Sequence, residues 1–153
     1  IARSRAKEAG LDIDYFDDSF GDEWPWMYPN PVPVWDIVLD ITSSNSLNEE
    51  ERKKYIQQVY DTIKNDGYFF VKALCKDGDE NAKFLLKNHP GKEKDTYTMP
   101  ELGVTERVWS REDFVEYYGK YFNIVHIEKK TTYSRMNGRV YKRNFWICYM
   151  TKL

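Results

Sequence analysis

Three stretches of this 153-residue chain carry groups able to hold a small molecule. Asp17-Asp18-Ser19-Phe20, Asp40-Ile41-Thr42-Ser43-Ser44-Asn45 and Cys75-Lys76-Asp77-Gly78 each follow an apolar run, so carboxylates, hydroxyls and main-chain groups gather at its end. In open α/β sheets, ligands bind beyond the carboxyl ends of the strands. The same residues also suit bland roles. Asp17 and Asp18 fit a solvated turn, because Asp bonds its own backbone there. Ser43 and Ser44 suit the polar start of a helix better than catalysis.

Trp24-Pro25-Trp26-Met27-Tyr28-Pro29-Asn30-Pro31-Val32-Pro33 holds four prolines in the nine residues from Pro25 to Pro33. Proline removes donors and fixes φ, so this is an irregular aromatic loop. Its Trp24, Trp26 and Tyr28 could turn π faces toward a cationic ligand or cover an edge of the core. Trp109 fits either a pocket rim or packing ahead of a helix. The histidines, His89 and His126, receive no catalytic role. Cys and His are not clustered as a metal site requires, and no G-x-S-x-G nucleophile turn occurs.

The elements that must position these groups follow from periodicity. Residues 1–9 form helix, stopped by Gly10. Residues 11–16 alternate Leu11, Ile13 and Tyr15 with Asp12 and Asp14, the pattern of a strand. Trp35-Asp36-Ile37-Val38-Leu39-Asp40-Ile41 is a compact apolar run, suited to a strand buried on both faces. From Ser46 a helix begins, with Glu49 placed for a capping box, and Tyr55, Ile56, Val59, Tyr60 and Ile63 share one face. Asn65-Asp66-Gly67 ends it, and Tyr68-Phe69-Phe70-Val71-Lys72-Ala73-Leu74 is the next strand. Strand, helix and strand in a unit of this length give a parallel crossover, hence an α/β sheet.

Residues 76–108 are polar, with a helical piece near Glu80, and have the length of an active-site cover. Ser110 caps a helix bearing Phe114, Val115, Tyr118, Tyr121 and Phe122. Two strands joined at Asn137-Gly138 end the chain as an antiparallel hairpin. No repeat or linker divides the sequence, so 1–153 reads as a single domain or part of one.

Composition narrows the class. The 23 basic and 25 acidic residues nearly cancel and are interspersed, which supports neither nucleic acid nor a membrane surface as partner. Aromatics at 16% supply a core. Cys75 and Cys148 lie in or beside apolar runs and suit reduced thiols, hence a cytoplasmic protein.

The strand Trp35-Asp36-Ile37-Val38-Leu39-Asp40, the helix carrying Glu51-Arg52-Lys54-Tyr55-Ile56 and Val59, the turn Asn65-Asp66-Gly67 and the strand Tyr68-Phe69-Phe70-Val71 together resemble the middle of class I S-adenosylmethionine-dependent methyltransferases. Glu106-Arg107-Val108-Trp109-Ser110-Arg111-Glu112-Asp113-Phe114, Phe122, Ile124 and the hairpin resemble the family's last helix and reversed final strand. Asp66-Gly67 departs from the family's Gly-Gly, at a position where one left-handed glycine would suffice.

The resemblance implies a Rossmann-like sheet, mostly parallel with an antiparallel C-terminal hairpin and helices on both faces, and S-adenosylmethionine as cofactor. It implies that Asp18, Ser19 and Phe20 face the adenine, that Asp40, Ile41 and Thr42 pass the cofactor, and that Ser43, Trp26 and Trp109 border the acceptor. A small-molecule or otherwise undefined acceptor is expected, and methylation of a base amine is disfavoured, since Asp40-Ile41-Thr42-Ser43 stands where those enzymes have Asn-Pro-Pro-aromatic. By the same alignment residues 2–10 resemble the helix after the family's second strand. The first strand and Gly-rich turn would then lie upstream of Ile1, in a longer protein or a second polypeptide. None of Gly10, Gly21, Gly67, Gly78, Gly91, Gly103, Gly119 and Gly138 forms a G-x-G pair. Two other readings remain: a degenerate methyltransferase-like scaffold that binds a partner, and a nicotinamide-dependent Rossmann enzyme, against which the reversed last strand argues.

Overall fold

The computed structural model describes residues 1–19, 33–136 and 138–153. Helix α1 (Ala2–Glu8) is followed by Gly10 at φ +66, the left-handed position that glycine adopts freely. Residues 11–19 form no strand. A strand needs a ladder partner, and here the segment is tied back to α1 instead. Arg3 donates to the Tyr15 carbonyl at 2.7 Å, and the Tyr15 hydroxyl donates to the Ala2 carbonyl at 3.2 Å. Leu11, Ile13 and Phe16 stay exposed.

The crossover expected in the middle of the chain is present: β1 (Trp35–Ile41), a 3-10 turn (Ser43–Ser46), α2 (Glu49–Thr62) and β2 (Ile63–Leu74). Helix α2 starts later than its polar residues suggest. Ser43–Ser46 belong to the 3-10 turn, so the cap falls on Asn48, which exchanges hydrogen bonds with Glu51 as a capping box. No turn follows α2 either. Strand β2 begins at Ile63 and runs through residues 65–67. Gly67 serves close packing in place of a left-handed turn, because a Cβ there would stand 2.8 Å from Ile63 Cγ1 and 3.0 Å from the Asp36 carbonyl oxygen.

After β2 come α3 (Glu80–Asn88), the short strands β3 (Thr96–Thr98) and β4 (Thr105–Arg107), α4 (Arg111–Tyr118), β5 (Phe122–Met136) and β6 (Arg139–Lys152). Ser110 caps α4 as its position suggests, accepting from the Asp113 N–H at 3.1 Å. Met136 pairs with Arg139, so a two-residue connection joins the last strands, with Gly138 at φ +74. Asn137 lies outside the described residues.

The main sheet has the order β1-β2-β6-β5. β1 and β2 are parallel, and β6 runs antiparallel to both its neighbours. It is a mixed α/β sheet with one reversed strand between two parallel to β1. Its core face is built from alternate residues Phe69, Val71 and Ala73 of β2 and Trp146, Cys148 and Met150 of β6. Against them pack Tyr55, Ile56 and Val59 of α2 with Phe114 and Tyr118 of α4. The strand β1 is not buried on both faces. Ile37, Leu39 and Ile41 are each more than half exposed, and only Val38 and Asp40 turn inward. Residues 76–109 share a second, small core with the end of β2, in which Ala82, Tyr97 and Val108 meet Leu74.

Candidate functional site

The carboxyl end of β1 is built around one carboxylate. Asp40 is 2% exposed. Its Oδ1 accepts the N–H groups of Ser43 at 2.9 Å and Ser44 at 3.3 Å. Its Oδ2 accepts the hydroxyls of Ser44 and of Tyr55, the latter at 2.7 Å. Every lone-pair direction of the buried acid is thus used internally, as burial of a charge requires. These bonds hold Thr42 in left-handed backbone, φ +65, a conformation that costs a β-branched residue free energy and persists only when its surroundings impose it. The Thr42 N–H extends the ladder to the Lys72 carbonyl at 2.9 Å.

At the carboxyl end of β2, Cys75 pairs with Trp109 as a parallel bridge. The Trp109 carbonyl accepts from the Lys76 N–H at 2.8 Å and from the Trp146 indole at 2.9 Å. Buried Asp79 caps α3 through the Ala82 N–H and accepts the Asn144 N–H at 2.6 Å, which locks 76–109 onto β6. Burial pushes the Cys75 thiol up to about 11 and the Cys148 thiol up to about 12.

A cavity of about 440 Å³ opens between the Ser46-Leu47-Asn48 stretch and the β3–β4 hairpin; Lys92, Glu93, Thr98, Thr105 and Arg107 contribute to its lining. One wall is fixed by Arg52, which donates to the Leu47 carbonyl and pairs with Glu93 at 2.5 Å. Burial opposes ionisation of Glu93. The Glu49 N–H and the Arg52 guanidinium outweigh it and hold the carboxyl below its ordinary range.

The expected site residues are distributed as follows. Asp40, Ile41, Thr42 and Ser43 lie together at the β1 end, Asp40 buried and the other three exposed. Asp18 and Ser19 are exposed in the irregular segment after α1. Trp109 is 3% exposed, packed edge-on against Phe114, with Arg107 over its ring at 4.1 Å. Phe20 and Trp26, with Trp24 and Tyr28, lie outside the described residues. Sequence reasoning missed Tyr55 as a polar partner, because its helical spacing placed it among apolar residues. Arg107 is likewise silent in sequence, because its lack of an ion-pair partner depends on residues far along the chain. Among the described residues no group of His, Cys, Asp or Glu could hold a metal ion, and no helix is long and apolar enough to cross a membrane.

No protein-family model matches the chain, and no curated protein sequence matches it. Solved structures do. The PH0226 protein of Pyrococcus horikoshii OT3 superposes with a TM-score of 0.68 at 16% identity, over 99% of this chain and 65% of that one. A SAM-dependent methyltransferase from Methanosarcina mazei gives 0.65 at 18% identity, over 78% of this chain and 59% of its own. An S-adenosylmethionine-dependent methyltransferase from Clostridium acetobutylicum gives 0.57 at 16%, over 96% and 69%. The chain spans less than two-thirds of the first two. With the strand order and the reversed β6, these likenesses give the chain the α/β fold of class I S-adenosylmethionine-dependent methyltransferases.

Proposed function

We propose that residues 1–153 are part of a single cytoplasmic methyltransferase domain that transfers a methyl group from S-adenosylmethionine to a small-molecule acceptor. The observation that carries this reading is the superposition of the chain, with its sheet order β1-β2-β6-β5 and reversed β6, on SAM-dependent methyltransferases over most of its length. The buried, unpaired thiols of Cys75 and Cys148 support a reducing compartment.

In this reading the residues present supply one side of a nucleoside site. Ile41 and Thr42 are exposed where β1 ends, and Asp18 and Ser19 are exposed after α1. In this reading Asp18, Ser19 and Phe20 hold the adenine, and the main chain of Asp40, Ile41 and Thr42 runs beside the methionine portion. Asp40 contributes by backbone alone, because its carboxylate is committed to Ser43, Ser44 and Tyr55. Ser43, Trp26 and Trp109 border the acceptor. The Gly-rich turn comes from a segment outside these residues or from a second polypeptide. When bound, the cofactor supplies an electrophilic methyl group. The protein then aligns the acceptor nucleophile in line with it, a positioning effect of large kinetic value.

The test is transfer of tritiated methyl from S-adenosylmethionine, by the intact protein, into small-molecule fractions of a cell extract. Saturable incorporation into one fraction is expected. No incorporation, together with no binding of the cofactor, would overturn the reading in favour of a scaffold that keeps the fold alone.

A further inference from the structure

The region between α2 and the β3–β4 hairpin holds cations that the acids of its ion pairs leave unmatched. Three ion pairs use its carboxylates: Arg52 with Glu93 at 2.5 Å, Lys76 with Asp95 at 2.7 Å, and Lys94 with Asp113 at 2.9 Å. Arg107 feels the fields of Arg52, Asp113, Asp95 and Glu93, yet forms no ion pair among the described residues. Its Nη1 donates to the Lys94 carbonyl at 3.3 Å, and its Nε is buried without a partner. No protein group among the described residues takes its Nη2 hydrogens. Trp109 fixes the guanidinium, stacked 4.1 Å from the ring centroid.

Arg107 lines the 440 Å³ cavity together with Ser46, Asn48, Lys92, Thr98, Thr105 and Glu93, whose carboxylate is already paired with Arg52. A volume of this size suits a small molecule, since ligand pockets run from about 300 to 1,000 Å³. The Thr98 and Thr105 hydroxyls face each other at 2.9 Å on the hairpin, and Lys92 adds a second cation. Burial first, and then Arg52, lower the Arg107 pKa; Asp113, Asp95 and Glu93 offset part of this without any of them pairing with the guanidinium. An incoming anion would relieve that. A carboxylate does so best, because its two oxygens match the planar fork of a guanidinium.

We propose that Arg107 anchors a carboxylate of the methyl acceptor in this cleft, with the Thr98–Thr105 pair and Lys92 beside it. The inference rests on the methyltransferase reading, since the Ser46–Asn48 wall continues directly from the turn that ends β1. It adds to that reading the chemical class of the acceptor: a small carboxylic acid.

The test uses sodium malonate as the probe, dimethyl malonate as its uncharged counterpart and inorganic phosphate as the alternative anion. Each is titrated into the intact protein while the Arg107 Nε–Hε resonance and, in every variant, the backbone amide resonances of Thr98 and Thr105 are followed by NMR. Malonate should shift that resonance saturably. Arg107→Lys, which keeps the charge and loses the fork, should weaken malonate binding by about tenfold or more, and Arg107→Gln should abolish it. The Arg107→Lys arm retains its meaning if Arg107→Gln fails to fold. No saturable shift, an equal shift with the diester, or tighter binding of phosphate than of malonate would overturn the assignment. Calorimetry with S-adenosylhomocysteine on the same samples separates the two ideas. Loss of malonate binding with the nucleoside still bound defeats the acceptor assignment alone. Malonate bound without the nucleoside defeats the methyltransferase reading and leaves a carboxylate site.

Discussion

The Tyr55 hydroxyl donates to the Asp40 carboxylate at 2.7 Å, joining α2 to the end of β1 in a buried setting. Burial above all, with the negative field of the acid, raises the Tyr55 pKa well above its ordinary value, so the phenol remains a donor throughout the accessible pH range. Tyr55→Phe removes one of four donors to a buried acid and should cost about 1–3 kcal/mol. Asp40→Ala strips the Ser43, Ser44 and Tyr55 groups of their acceptor at once, and should cost more than the Tyr55 change. Urea denaturation of the three proteins checks both the size and the order.

Acid should destabilise the cavity wall through Glu93. Its carboxyl ionises below the ordinary value of 4.5 in the fold, because the Glu49 N–H and Arg52 overcome the burial that opposes charge. A group whose folded pKa is depressed gives stability that is present above the unfolded value and lost as pH falls through the folded one. The wild type should therefore lose thermal stability as pH falls below 4.5, and Glu93→Gln should flatten that part of the profile. A midpoint temperature measured against pH tests it.

Gly67→Ala should loosen the β1–β2 pairing. The new methyl would meet Ile63 Cγ1 at 2.8 Å and two backbone oxygens at 3.0 Å, contacts that neither backbone can relieve without moving a strand. A loss of about 1–3 kcal/mol is expected for overpacking of this kind. Gly138→Ala is the contrast: its φ of +74 imposes strain, but nothing stands within 4 Å, so a loss of about 1 kcal/mol is expected. Denaturation midpoints order the two.

Cys75 and Cys148 should resist alkylation in the folded protein. Burial raises them to about 11 and about 12, which leaves almost no thiolate at neutral pH. Iodoacetamide should label neither in native buffer and both in denaturant, as mass spectrometry would read.

Periodicity made the sheet readable. The apolar runs of β1 and β2, the Ser110 cap and the Asn137-Gly138 connection each express a local rule, and their order along the chain carried the resemblance. The failures were not local. The start of α2 moved because Asp40 captures Ser43 and Ser44 into a 3-10 turn. The alternation of residues 11–16 could not make a strand without a partner. The cleft was invisible because its key pair, Arg52 with Glu93, joins residues 41 positions apart. The isolation of Arg107 shows only when every neighbouring acid has been matched to another base. The inward role of the Asp40 carboxylate, as scaffold for the turn, was not legible either, because its partner Tyr55 stands 15 positions away.

Calorimetric titration of the intact protein with S-adenosylhomocysteine tests the central claim most directly. Saturable binding of one nucleoside per domain is the predicted result. The absence of any binding heat across temperatures, with the protein shown to be folded, would contradict it.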